Sequence, residues 1–237
     1  IDRFNNREKN ILFHAAVMGK EFDPVLLTGL CAGGGRDVHV VLERARYVLA
    51  VLQKGIEYQL FMEYPGDGDR ESVISFAHEV IRQELYSIIP RKERTRIHRA
   101  VAEMIEEHFM PERAGYCHDL ARHYMAVGDD DKVILYGTCA ARQAKEHYAH
   151  GDAVKYLEEI RKILERRMKT GPDDDDLELW KRCMMELGTA YLDTGAGNRA
   201  IGIFTELSAA ASGERERAVM RMKLMQAYYK TGNMEQC

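Results

Sequence analysis

Cysteine, proline and tryptophan are scarce in this chain, at five, five and one among 237 residues. Each shortage removes a class of answer. Cys31, Cys117, Cys139, Cys183 and Cys237 are odd in number and scattered, and no Cys-x-x-Cys occurs. Neither a zinc site nor a disulfide framework is expected, and free thiols in a reducing cytoplasm fit that usage. No His-Glu-x-x-His is present. His118 and His123 in HDLARH stand five apart, which on a helix points them to different faces, so no metal site is expected. No apolar run approaches the roughly 18 residues of a membrane helix, and nothing reads as a signal peptide. A cytoplasmic chain without a membrane partner is the expectation.

An excess of one charge is missing too. The net charge is −4, with 16 Lys and Arg against 18 Asp and Glu in residues 1–113 and 18 against 20 in the remainder. Neither half carries the basic footprint of a nucleic-acid-binding domain. The run RKERTRIHR (91–99) is interrupted by Glu93 and reads as the solvated face of a linker and helix. No Gly-x-x-x-x-Gly-Lys-Ser/Thr occurs. The one glycine cluster, CAGGGRD (31–37), lacks the lysine and hydroxyl of a phosphate cradle and lies between two helices, so it reads as a turn.

What is present is helical periodicity, of two kinds. From about residue 111 the pattern repeats. In LGTAYLDTGAGNRAIGIFTEL (187–207), Leu187, Gly188, Tyr191, Gly195, Ala200 and Phe204 stand at tetratricopeptide spacing. Small residues there let two helices approach, aromatic rings fill the gap, and glycine turns the corner. Leu224, Tyr228 and Gly232 recur 37 residues after Leu187, Tyr191 and Gly195, close to the usual period of about 34. Leu120, Ala121, Tyr124 and Gly128 form a weaker, earlier copy. Residues 140–164 read as a further helix–turn–helix with Gly151 at the turn. The aspartates of TGPDDDDLE (170–178) lack calcium-loop spacing and read as a solvated loop capping the next helix. The last repeat stops at Cys237 before its second helix, so the chain is expected to be a piece of a longer protein.

Residues 1–110 show no such period. A helix with Ile11, Leu12, Ala15 and Ala16 on one face is followed by a second, opened by Asp23 and Pro24. A third helix turns Val40, Val41, Val48, Leu49 and Leu52 inward and ends at Gly55. IEYQLFMEY then alternates as a strand, PGDGDRES is a turn, and VISFAH is the return strand. Two more helices follow. One packs Val80, Ile81, Leu85 and Ile88 and stops at Pro90; the other packs Ile97, Val101, Met104 and Ile105. Three helices and a β-hairpin make a winged-helix order. The fold class read from the chain is therefore mostly α, with a winged-helix domain at 1–110 and a right-handed tetratricopeptide-like array at 111–237.

Phe76, His78, Ile81, Arg82 and Tyr86, then a basic linker, then Ile97, His98, Val101 and Ala102, form one linked pattern. Placed between a winged helix and helical repeats, it resembles the signal-transduction ATPases with numerous domains. In particular it is similar to bacterial predicted ATPases found beside adenylate cyclase, serine/threonine kinase or transcription-activator modules. The resemblance covers nearly the whole chain and is strongest at 74–108. In arrangement Ala77-His78-Glu79 is similar to the Met-His-Asp segment of apoptosome and plant resistance ATPases. It implies an ATPase core that these residues do not contain, ATP or ADP bound by the parent protein, and no cofactor held by this chain itself.

His78 keeps two readings. On the residues alone it is a half-buried histidine capping the helix after it. At a strand-to-helix corner it also lies beside free N–H groups suited to a phosphate oxygen, and the resemblance makes it a nucleotide sensor in the full-length protein. The function expected is non-catalytic: the winged helix clamps an upstream ATPase core and the repeats take a protein or peptide signal. The alternative is a DNA-binding winged-helix transcription regulator with a repeat effector domain.

Overall fold

The computed structural model describes residues 2–33, 37–65, 72–108, 113–171 and 173–232. Residues 34–36 of CAGGGRD, 66–71 of PGDGDRES and 233–237 lie outside them. The described residues form eleven helices and three short strands, so the fold is mostly helical. Two compact units divide the chain, Ile1–Arg113 and Ala114–Cys237.

Unit 1 opens with α1 (Asn6–Met18), started by a capping box. The Asn5 side chain accepts from the N–H groups of Arg7 and Glu8, and the Glu8 carboxylate accepts from the N–H of Asn5. Glu8 also holds Lys54 Nζ at 2.9 Å, which ties the start of α1 to the next long helix. After β1 (Glu21–Phe22), α2 (Pro24–Ala32) begins with Asp23 as N-cap and proline in its first turn. α3 (Val38–Glu57) follows, capped by Asp37. β2 (Phe61–Pro65) and β3 (Ser72–Phe76) complete an antiparallel sheet of order β1-β3-β2. Phe22, Phe61 and Phe76 meet across it, with ring centroids 4.9–5.9 Å apart. Then come α4 (Glu79–Ile88) and α5 (Arg91–His108). Leu12, Leu27, Leu52, Phe61, Phe76, Leu85, Ile97 and Ile105 are all buried in this unit's core.

Several expectations are corrected here. The third helix does not end at Gly55 but runs on to Glu57, so the strand starts at Phe61 rather than at Ile56. Gly55 is required by packing: a Cβ there would lie 2.4 Å from Cδ2 of Phe61. The left-handed residue that closes the helix is Gln59, at φ +56°. The Leu60 N–H donates to the Gly55 carbonyl and the Gln59 N–H to that of Ile56, a Schellman closure. The hairpin gains a third strand, β1, that the reading lacked. On α3, Val40 and Leu49 are exposed rather than inward, and Val51 joins Val48 and Leu52 inside. On α4, Val80 and Ile88 are exposed, and Leu85 with Ile89 fills the core instead.

Unit 2 is a run of helices: α6 (Arg113–Val127), α7 (Asp130–Glu146), α8 (His150–Thr170), α9 (Asp174–Asp193), α10 (Gly197–Ala209) and α11 (Glu214–Thr231). From α7 onward each packs on its neighbours in sequence. The aspartate run opens α9: Asp173 caps it and Asp174, Asp175 and Asp176 lie in its first turn, next to the positive end of the helix dipole. Gly128, Gly195 and Gly232 hold φ of +79°, +76° and +74° after α6, α9 and α11. Gly151 does not make the turn after α7, as expected from sequence; it sits inside α8, and Tyr148 takes the left-handed position at φ +58°.

Cys117 on α6 and Cys139 on α7 are disulfide-bonded, with Cα atoms 5.8 Å apart. This corrects the expectation of free thiols. Two neighbouring helices bring together cysteines whose spacing in sequence matches no motif. The same pair of helices stacks Tyr124 on Tyr136 at 5.7 Å. A disulfide is rare in a reducing compartment, so cysteine usage no longer argues for the cytoplasm. Among the described residues no helix is long and apolar enough to cross a membrane.

Candidate functional site

The linked pattern of residues 76–102 converges on one corner of unit 1, and most of it is structural. Phe76 is fully buried at the end of β3. Arg82 on α4 clasps Glu79 through two nitrogens, at 2.9 and 2.6 Å, and donates to the Ala16 carbonyl on α1 at 3.1 Å. That clasp lowers the Glu79 pKa. Tyr86 on α4 and His98 on α5 share a hydrogen bond of 3.0 Å between Oη and Nε2, and His98 is buried. Ile97, Val101 and Ala102 are buried beside it. These groups lock α4 and α5 onto the unit. The chemistry of the pattern lies in side-chain pairs rather than in an open catalytic set.

His78 is the exception. It stands at the β3–α4 junction as the N-cap residue of α4, is exposed, and makes no side-chain cap hydrogen bond. The half-buried capping role is therefore corrected. What remains is an uncommitted imidazole beside a helix start, with its acidic neighbour Glu79 already occupied by Arg82 and Gln83.

The basic run 91–99 is partly spent on structure. Arg96 pairs with Glu93 at 2.6 Å, and Arg94 stacks over Tyr86 at 4.9 Å. The exposed surface of α3 is unusual in another way. Val38, Leu42 and Leu49 present large apolar side chains to solvent, Leu42 and Leu49 at 53% and 52% exposure.

In unit 2 the repeat positions meet between α9 and α10. Leu187, Gly188, Tyr191, Ala200 and Phe204 are buried. A Cβ on Gly188 would lie 2.6 Å from Cε1 of Phe204, so glycine makes room for that ring. Tyr191 donates its hydroxyl to Glu158 on α8, and burial raises its pKa. Gly195 is the exposed left-handed turn. Leu224 and Tyr228 are half-buried on α11, which ends on Gly232.

Nothing among these residues forms a nucleophile–base pair. Burial pushes the thiols of Cys31 and Cys183 up to about 12, so neither supplies a thiolate at neutral pH. Among the described residues no cluster of three His, Cys, Asp or Glu could hold a metal ion. Sequence reading missed the Tyr86–His98 bond and the Cys117–Cys139 bridge, because neither follows from helical spacing along one element. Comparison with protein-family models, curated proteins and solved structures gives no match.

Proposed function

We propose that this chain is a non-catalytic regulatory and protein-interaction module of a signal-transduction ATPase. Unit 1 is a winged helix that packs on a nucleotide-binding core; unit 2 is a right-handed tetratricopeptide-like array that takes a protein or peptide signal. The order α1-β1-α2-α3-β2-β3 with a β1-β3-β2 sheet supports the first assignment. Left-handed glycines at matched points of three helices support the second.

The observation that carries the reading is the apolar face of α3. In a DNA-reading winged helix this element presents polar side chains to base edges. Here Val38, Leu42 and Leu49 stand in those exposed positions, with Glu43 among them. Such a face favours a protein surface over a polyanion. His78, exposed and uncommitted at the start of α4, is then the side chain available to a phosphate oxygen of the nucleotide on that core.

The test is co-expression with the nucleotide-binding core of such an ATPase. The chain should co-purify with the core, and Leu42→Glu with Leu49→Glu should abolish capture without changing the melting temperature. Capture that survives both substitutions, or a tight, salt-sensitive gel shift with random duplex DNA, overturns the reading in favour of a DNA-binding regulator. The purified chain should hydrolyse ATP no faster than background; saturable, magnesium-dependent turnover would sink the non-enzyme assignment.

A further inference from the structure

Between α1 and α3 of unit 1 lies a cleft of about 900 Å³, closed at one side by the end of α2 and by Arg96 of α5. Small-molecule sites occupy roughly 300–1,000 Å³ and combine an apolar body with a few convergent polar groups. Here Ile11, Leu30, Val40 and Val48 supply the apolar wall.

The charges in the cleft are uneven once their partners are accounted for. Of its two carboxylates only Glu43 has a cationic partner, while Asp37 caps α3 and keeps its charge. Asp37 accepts from the His39 N–H at 2.9 Å, and Glu43 pairs with Arg46 at 3.2 Å. Two of its three arginines have no carboxylate partner among the described residues. Arg7 stacks over the Tyr47 ring at 5.3 Å, and Arg44 donates only to the Ala32 carbonyl at 3.2 Å. Only Arg96 is neutralised, by Glu93. A chain with more carboxylates than cations thus leaves two guanidinium groups unpaired at one cavity.

A buried histidine adds a further polar group. His14 lines the same cleft at 8% exposure. Its Nδ1 is held by the Asn10 carbonyl at 2.7 Å, while Nε2 makes no hydrogen bond among the described residues. That nitrogen is within reach of solvent in the cleft, so a water or a ligand donor can be its partner.

We propose that this cleft binds a small molecule carrying an oxyanion on an apolar body. Arg7 and Arg44 hold the phosphate or carboxylate, His14 Nε2, an acceptor while Nδ1–H donates to the Asn10 carbonyl, takes a protonated oxygen or other donor of the ligand, and the apolar wall takes the rest. Planar guanidinium groups match both oxyanions in bidentate fashion. The cleft adjoins the apolar face of α3, with Glu43 common to both, but none of the apolar residues proposed there to meet a protein core lines it, and His78 does not either.

The test is calorimetric titration of the 237-residue chain with phenyl phosphate, benzoate and inorganic phosphate. Saturable binding of phenyl phosphate or benzoate is expected, and the tighter of the two identifies the oxyanion. Losing one charge-assisted contact in Arg7→Gln or Arg44→Gln should weaken it about tenfold. Both arginines are exposed, so these variants should melt as the parent does. The His14 ring resonance, assigned by its loss in His14→Gln, should move with the ligand in the parent and need about tenfold more ligand to move in Arg44→Gln. If His14→Gln does not fold, the two arginine variants decide the matter. Absence of heat with all three probes at millimolar concentration overturns the proposal. So does affinity that the arginine substitutions leave unchanged, or duplex DNA binding through these arginines without binding of either aromatic probe.

Discussion

Gln59 and Tyr148 hold left-handed backbone, at φ +56° and +58°, where the chain elsewhere uses glycine. A side chain in that region is strained by roughly 1–3 kcal/mol. Tyr148 recovers little through packing, since it is 85% exposed, with its ring T-shaped to that of His150. Tyr148→Gly should therefore stabilise the protein by about 1 kcal/mol, once the added freedom of the unfolded chain is subtracted. A urea midpoint that falls instead would show that the Tyr148 ring does more than turn the corner. The opposite experiment concerns Gly188. Its absent Cβ is the space occupied by Phe204, so Gly188→Ala should destabilise by about 1–3 kcal/mol through overpacking. Phe204→Ala, which empties a fully buried ring site, should cost about 3–5 kcal/mol. Equal midpoints for parent and either variant would show the α9–α10 contact to be wrongly described.

At the level of elements, the sequence disclosed what periodicity encodes. Ile11, Leu12, Ala15 and Ala16 are buried on α1, and Ile97, Val101 and Ile105 on α5, as spacing along one helix requires. The aspartates before α9 were legible as a cap because their effect is local. What failed was whatever a distant element decides. Gly55 looked like a helix end because glycine commonly is one; it is glycine because Phe61 lies against it, a contact made only once β2 folds back. Val40 and Leu49 fit the apolar pattern of α3, yet no element among the described residues of unit 1 buries them. At the candidate site, the strand-to-helix corner at His78 was legible, but its exposure was not, since exposure depends on everything packed nearby. The α6–α7 bridge was invisible for the same reason, and it makes a clear prediction. Cys117 and Cys139 close a segment of 22 residues, so reduction should cost about 3 kcal/mol. The urea midpoint with and without reductant measures this. Peptide mapping after alkylation of the unreduced, unfolded protein should leave both cysteines unlabelled; full labelling would show them free.

Across the whole molecule, the two units should answer acid differently. In unit 1, Glu8, Glu79 and Glu93 have lowered pKa values, through hydrogen bonds from Lys54, Arg82 and Arg96 respectively. Burial lowers His14 below its ordinary 6.5. In all four cases the unfolded chain binds protons more readily than the folded one. Their stabilisation is present above the unfolded pKa and is lost as pH falls through the folded one. Loss should begin below about 6.5 with His14 and steepen below about 4.5 with the carboxylates. In unit 2, Tyr156, Arg161, Lys162, Arg167, Lys181, Cys183 and Tyr191 are all raised. All seven titrate on the alkaline side, so none of these seven contributes to an acid response. The chain's single tryptophan, Trp180, is buried in α9 and reports unit 2 alone. On lowering the pH, helical circular dichroism should begin to fall while Trp180 fluorescence holds its folded position. His14→Gln should flatten the upper part of that curve and leave the lower part intact. Coincident loss of both signals would mean that the acid response is not set by the groups of unit 1.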